Sequence, residues 1–188
     1  MYLYIYEGYA GNRIKAASTE MLVLRALSMY MAEENGDPGT DAEIIRGAKG
    51  KPEFRDLPVE FSVSHTGSLW VCLMGKQRSG IDIQLLRNVR YEKISERFFT
   101  RDEHHYTELW GIDGFLDIWV RKEAFIKYLG ISIGEGINRF SVVRDDKLAE
   151  SAVLRGSRAF FEEIEISEDI RCVCALRERE EIWTRTIN

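Results

Sequence analysis

Trp119-Val120-Arg121-Lys122-Glu123-Ala124-Phe125-Ile126-Lys127-Tyr128-Leu129-Gly130 reads as the second half of a helix. Its apolar pattern opens near Asp113, holds Phe115, Ile118, Trp119, Phe125, Ile126 and Leu129 in helical period, and stops at Gly130. Trp119, Glu123 and Lys127 are spaced by four and share one face, half apolar and half charged. Two readings of that stripe stand side by side. One is a surface Glu–Lys pair on an ordinary amphipathic helix, with Trp119 in the core. The other is a wall of a charged site, and the residues upstream bear on it.

Working outward, residues 2 to 6 alternate aromatic and aliphatic side chains as a strand does. Ser18 or Thr19 caps a helix to about Glu34, ended by Asn35-Gly36-Asp37-Pro38-Gly39. A shorter helix is expected over Asp41 to Arg46, then irregular chain over Gly47 to Pro58 with Gly50-Lys51-Pro52 as a rigid turn. Strands are predicted at Glu60 to Ser64, Leu69 to Gly75 and Gly80 to Leu85. Thr66-Gly67-Ser68 and Gln77-Arg78-Ser79-Gly80 read as hairpin-like connections between them. A short helix covers Tyr91 to Phe98, the chain breaks at Thr100, and a helix runs from Arg101 to Trp110. Gly111 and Gly114 separate that helix from the opening stretch. Strands return at Asn138 to Arg144, Ala159 to Ile166 and Ile170 to Arg177, with a last apolar segment from Ile182 to Ile187. The order predicts an α+β fold of two similar halves, each a small antiparallel sheet with a long helix packed on it. The halves fall at about residues 1–86 and 87–188 of one intimately packed unit, with no linker between them.

The 188 residues are 45% hydrophobic with three prolines, the profile of a soluble globular protein with a real core. A formal net charge of -5 argues against a general nucleic-acid-binding surface, though not against a local basic pocket. Cys72, Cys172 and Cys174 lie in strand-like apolar segments and read as buried free thiols, which fits a reducing cytoplasm. Met1-Tyr-Leu-Tyr-Ile-Tyr is too short for a signal core and meets Glu7 at once, and no window approaches a membrane span.

Two further clusters carry chemistry. In Gly80-Ile81-Asp82-Ile83-Gln84, Asp82 and Gln84 project from one strand face while the isoleucines pack the other way. Two oxygen-bearing groups on a strand suit a hard cation such as magnesium, and Glu123 on a facing helix is the candidate third ligand. The same alternation also describes any strand with one solvated face. Phe61-Ser62-Val63-Ser64-His65-Thr66-Gly67 runs a strand into a turn rich in hydrogen-bond donors, suited to an oxyanion, although His65 alone reads equally as a turn residue. His104 and His105 sit in a charged helix and read as surface residues, and no Gly-rich nucleotide loop, catalytic Ser motif or His-rich metal motif is present.

These clusters together resemble the Sfp-type 4′-phosphopantetheinyl transferases. The resemblance rests on Gly50-Lys51-Pro52, the Phe61–Gly67 segment followed by Trp70-Val71, Gly80-Ile-Asp82-Ile, Arg97-Phe98-Phe99 with Glu103, and Trp119-x-x-Lys122-Glu123-x-x-x-Lys127. It covers about residues 50 to 143 in order and spacing. It implies two pseudosymmetric lobes that bind coenzyme A between them. The implied reaction moves the phosphopantetheine arm to a serine of an apo acyl or peptidyl carrier protein and releases adenosine 3′,5′-bisphosphate. Asp82 and Glu123 would ligate magnesium, with manganese as a substitute, and Glu123 would also serve as base for the carrier serine. Lys127 would neutralise the pyrophosphate, Ser64 with His65 would hold the 3′-phosphate, and Lys51 would lie on the adenine side. The family usually carries Glu where this chain has Gln84, which would ligate directly, through a water, or not at all. The basic residues near the family's N-terminus have only Arg13 and Lys15 as counterparts. The basic stretch from Arg87 to Tyr106, with Arg90 and Arg97, would meet the acidic carrier. A monomer follows from having both halves of the cleft in one chain. The alternatives are a non-catalytic coenzyme A or adenosine bisphosphate binder on the same fold, and a protein-interaction module using that basic stretch.

Overall fold

Alternating apolar and polar side chains build two four-stranded sheets, each covered by a long helix. A computed structural model describes residues 1–9, 15–37, 39, 41–47, 50–86 and 90–188, with residues 15–18 by backbone alone. Arg13, Arg87 and the side chains of Lys15 and Ser18 lie outside the described residues. The first part holds β1 (Tyr2–Glu7), α1 (Lys15–Glu33), β2 (Ile44–Arg46), β3 (Pro52–Phe54), β4 (Glu60–Thr66), β5 (Leu69–Gly75) and β6 (Ser79–Leu85). Then come α2 (Tyr91–Phe98), α3 (Arg101–Leu129) and α4 (Ile133–Gly136). The chain continues through β7 (Val143–Arg144), β8 (Lys147–Leu148), β9 (Ser151–Leu154), β10 (Ser157–Glu163), β11 (Ile170–Leu176) and β12 (Trp183–Thr186). The fold is α+β.

One sheet has the order β12-β1-β5-β4 and the other β6-β11-β10-β9. The pairing is antiparallel throughout except for β12, which runs parallel to β1. Adjacent residues of a strand serve different cores. Tyr4 packs toward α1 with Val23 and Leu27, whereas Leu3 turns to a core shared with Ile81, Ile83 and Cys174 of the other sheet. α3 covers the opposite face of that second sheet, anchored by Ile118, Val120 and Phe125, all fully buried. Each such side chain contributes roughly 1.5–3 kcal/mol.

Four expectations are corrected. The segment expected as a helix over Asp41 to Arg46 ends in β2, which pairs antiparallel with β3 inside the stretch expected to be irregular. Residues 77–80 do not close a hairpin, because β6 pairs with β11 of the other sheet rather than with β5. Asn138 to Arg144 contains only the two-residue β7, since the carbonyls of Ile137 and Phe140 turn onto a buried lysine, Lys122, instead of joining a ladder. Finally, Gly114 lies within α3, and the interruption is a kink at Gly111 (φ 62°, ψ -140°), a conformation that glycine alone adopts readily. Sheet membership also crosses residue 86 twice: β6 belongs with the C-terminal strands and β12 with the N-terminal ones.

The two sheets meet along β4 and β6, and side chains rather than backbone carbonyls make the joint. The hydroxyls of Ser62, Ser64 and Thr66 accept from the N–H groups of Ile81, Ile83 and Leu85 at 3.1, 3.4 and 3.1 Å. The two-residue step on both strands follows from the pleat. On the other face of β6, Gly80 lets the backbone of α3 approach. A Cβ there would lie 2.1 Å from the Ala124 carbonyl oxygen and 2.4 Å from the Tyr128 nitrogen.

The start of α3 is tied to its middle by a buried ion pair. Thr100 caps the helix in a capping box with Glu103, and the Glu103 carboxylate also accepts from the Val142 N–H at 2.8 Å. Lys122, fully buried, pairs with Glu103 at 2.9 Å and donates to the Ile137 and Phe140 carbonyls at 2.6 and 2.8 Å. Burial lowers the Lys122 pKa and Glu103 opposes that. Removing one partner strands the other charge, so Lys122→Met is expected to cost about 3–5 kcal/mol, read as a lower urea midpoint. A midpoint equal to that of the unaltered protein would remove the network from the account.

Candidate active site

The half-buried stripe of α3 faces β6. Gly80 sets the spacing between them, and Asp82 therefore points at the helix, where it is 3% exposed. Its Oδ1 accepts from Lys127 Nζ and from Ser64 Oγ, each at 2.7 Å. Its Oδ2 accepts from the Gln84 amide at 3.2 Å. Glu123, one turn before Lys127, makes no hydrogen bond or salt bridge to a described side chain. Burial raises its pKa from 4.5 to about 7, the Asp82 carboxylate adds to the rise, and Lys127 opposes it.

Lys51 lies nearby. Its ammonium donates to the Ser79 carbonyl at 2.9 Å and sits 3.5 Å from Glu60, and burial lowers its pKa against the pull of Glu60. Lys51 and Lys127 line a cavity of about 240 Å³ whose apolar walls include Phe61, Val63 and Ile131. A second cleft of about 540 Å³ adjoins it, with Pro52, Phe61 and Val63 common to both. That cleft holds His65, Arg46 and the carboxylate of Glu20. The His65 ring stands 5.0 Å from that of Tyr9.

Asp82, Gln84, Glu123, Lys127 and Ser64 are thus brought together, with Lys51 one cavity-width away. Ser64 and His65 are not, because neighbours on a strand point to opposite faces. Ser64 turns inward to Asp82, and His65 turns to the outer cleft. The residue that sequence reasoning missed is Arg46. Its strand was read as a helix, and only the pairing of β2 with β3 puts Arg46 beside Pro52 and hence in the His65 cleft.

The Asp82 carboxylate raises the Glu123 pKa and Lys127, paired with Asp82, opposes that rise. Two carboxylates are thus near enough to interact, with one lysine to offset them, which suits a hard divalent cation. Among the described residues no group of three or more His, Cys, Asp or Glu could hold a metal ion. Magnesium is commonly held by one or two carboxylates, with phosphate oxygens and water completing the shell, and the Asp82–Glu123 pair matches that habit. Gln84 contributes no charge and here donates to Asp82.

A profile of the family described as the 4′-phosphopantetheinyl transferase superfamily matches residues 78–175, just over half of the chain. The chain belongs to that superfamily. The matched region runs from the residue before β6 to the last residue but one of β11, so it contains Asp82, Gln84, Glu123 and Lys127. Among curated relatives, 4′-phosphopantetheinyl transferase gsp of Aneurinibacillus migulanus is 24% identical over 86% of this chain and 69% of its own length. The 4′-phosphopantetheinyl transferase Sfp of Bacillus subtilis is 36% identical over 50% of this chain and 43% of its own. A phosphopantetheinyl transferase of Thraustochytrium is 32% identical over 59% and 45%. The chain therefore spans less than half the length of the latter two phosphopantetheinyl transferases in these matches.

Proposed function

We propose that this protein transfers the 4′-phosphopantetheine group of coenzyme A to a serine of an apo acyl or peptidyl carrier protein, releasing adenosine 3′,5′-bisphosphate. The observation that carries the reading is the Asp82–Lys127 contact beside Glu123, with Lys127 also lining a cavity that adjoins a second cleft holding Arg46 and His65. Coenzyme A carries a pyrophosphate and a separate 3′-phosphate. Lys127 and Lys51 offer one anion station, and Arg46 with His65 offers the other. The apolar walls shared by the two clefts, Phe61 and Val63, suit the nucleoside between them.

In this reading the serine oxygen attacks the phosphorus that bears the pantetheine arm. A new P–O bond forms, the bond to the bridging oxygen breaks, and the electron pair leaves with adenosine bisphosphate. Glu123 takes the serine proton, directly or through a water. Without metal, burial and the Asp82 carboxylate raise the proton affinity of Glu123, the direction that favours a base. Lys127 leaves Asp82 for a phosphate oxygen and offsets the charge that builds there. Magnesium, or manganese in its place, would be held by Asp82 and Glu123 and would supply further charge stabilisation to the pyrophosphate. A mere binder needs no base, the role this reading gives to the half-buried Glu123. The protein would act as a cytoplasmic monomer, with Arg90 and Arg97 near the docked carrier. No helix among the described residues is long and apolar enough to cross a membrane.

The test is incubation with coenzyme A, magnesium and a panel of apo carriers, followed by intact mass. Addition of one phosphopantetheine to a carrier serine is expected, and no adduct on any carrier overturns the reading. Gln84→Glu adds a charge beside Asp82 and is expected to lower the magnesium requirement about 10-fold. An unchanged metal titration would take Gln84 out of the site.

A further inference from the structure

The hydroxyl of Ser64 has a single proton, and that proton is spent. It goes to Asp82 Oδ1 at 2.7 Å, while the same oxygen accepts from the Ile83 N–H at 3.4 Å. Phosphate oxygens only accept, so a hydroxyl in this state has nothing to give them. Ser64 is also 7% exposed and faces away from the cleft that holds His65. Its neighbours in the seam provide a contrast. Ser62 and Thr66 make the same kind of bond to β6 but do not touch Asp82.

We infer that Ser64 is a positioning residue for Asp82 and not a phosphate contact: its hydroxyl, anchored on β6, fixes the orientation in which the carboxylate meets the cation. The inference rests on Asp82 being a metal carboxylate, as in the function proposed above. Oδ1 is held by Ser64 and Lys127, and Oδ2 by Gln84. When Lys127 moves to a phosphate, Ser64 and Gln84 are the partners that keep Asp82 in place. Ser64 matters more of the two, because its own oxygen is pinned to backbone on the same strand as Asp82. Groups that orient a metal ligand typically carry 10–100-fold in metal affinity.

Titration with Mn²⁺ alone, followed by electron paramagnetic resonance, tests this without any transfer reaction. Ser64→Ala is expected to weaken Mn²⁺ binding about 10-fold, while Ser62→Ala and Ser64→Thr stay within about twofold of the unaltered protein. Should Ser64→Ala not fold, Ser64→Cys takes its place with the same expectation, since a thiol is a weak donor. In transfer assays the loss in kcat/KM should be the same factor with coenzyme A and with dephospho-coenzyme A. Three results overturn the inference: no Mn²⁺ binding by the unaltered protein, equal Mn²⁺ affinities for the Ser62 and Ser64 variants, or a loss confined to the substrate that bears the 3′-phosphate. Mn²⁺ binding that responds as expected in a protein that modifies no carrier would leave the Ser64 role standing and remove the transferase reading.

Discussion

Glu123→Gln is expected to lower the transfer rate by about 10²–10⁴ and, with metal chelated, to make the protein more stable above neutral pH. Both effects come from one fact. The Glu123 carboxyl is half-buried beside Asp82, and its pKa rises from 4.5 to about 7. The folded state therefore holds the proton more tightly than the unfolded chain does. That preference stabilises the fold fully below pH 4.5 and is lost as pH rises through 7, after which an unneutralised carboxylate burdens the fold. The full displacement corresponds to about 3 kcal/mol at ~1.4 kcal/mol per pH unit, and partial solvent access reduces it to about 2. Glutamine keeps the shape and does not titrate. Urea unfolding in the presence of a chelator should give nearly equal stabilities at pH 4.5, with the variant ahead by about 2 kcal/mol at pH 8.5. Parallel pH profiles would mean that Glu123 is not the strained carboxylate described here.

The second large effect belongs to Gly80→Ala, expected to cost about 3 kcal/mol and to abolish transfer together with metal binding. The added methyl meets the Ala124 carbonyl oxygen at 2.1 Å and the Tyr128 nitrogen at 2.4 Å. Both are backbone atoms of α3, so no side-chain rotation relieves the clash. The helix must move off β6, and the 2.7 Å contact between Lys127 and Asp82 opens with it. Unfolding and Mn²⁺ titration on the same preparation would show the two losses together. A variant that kept its stability and its metal affinity would mean that α3 does not rest on β6 at this point.

Much of the site was legible because it rests on short periods. Spacing by four put Glu123 and Lys127 on one helix face, alternation put Asp82 and Gln84 on one strand face, and both placements hold. The two ends of α3 were legible for the same local reason, with the break at Thr100 and the stop at Gly130, which is left-handed. α1, however, starts at Lys15, ahead of the cap expected at Ser18 or Thr19. What depends on distant pairing was not. The partner of β6 is β11, some ninety residues further along the chain, so the short connection at 77–80 resembles a hairpin but carries the chain from one sheet to the other. β2 exists only by pairing with β3, and its three residues carry no period of their own. The lysine in the core was equally hidden, since Lys122 reads as a surface charge until Glu103 and two carbonyls close around it. Ser64 and His65 were not told apart in the sequence, because the strand was expected to stop at Ser64 with His65 in a turn, whereas β4 runs on to Thr66 and turns the two side chains to opposite faces.

The most direct test of the central claim is a time course of phosphopantetheine addition to an apo carrier, with coenzyme A and saturating magnesium, comparing the unaltered protein with Asp82→Asn and Glu123→Gln. The account predicts one adduct per carrier with the unaltered protein and a rate lower by at least about 100-fold with each variant. Adduct formation at full rate by either variant would contradict it.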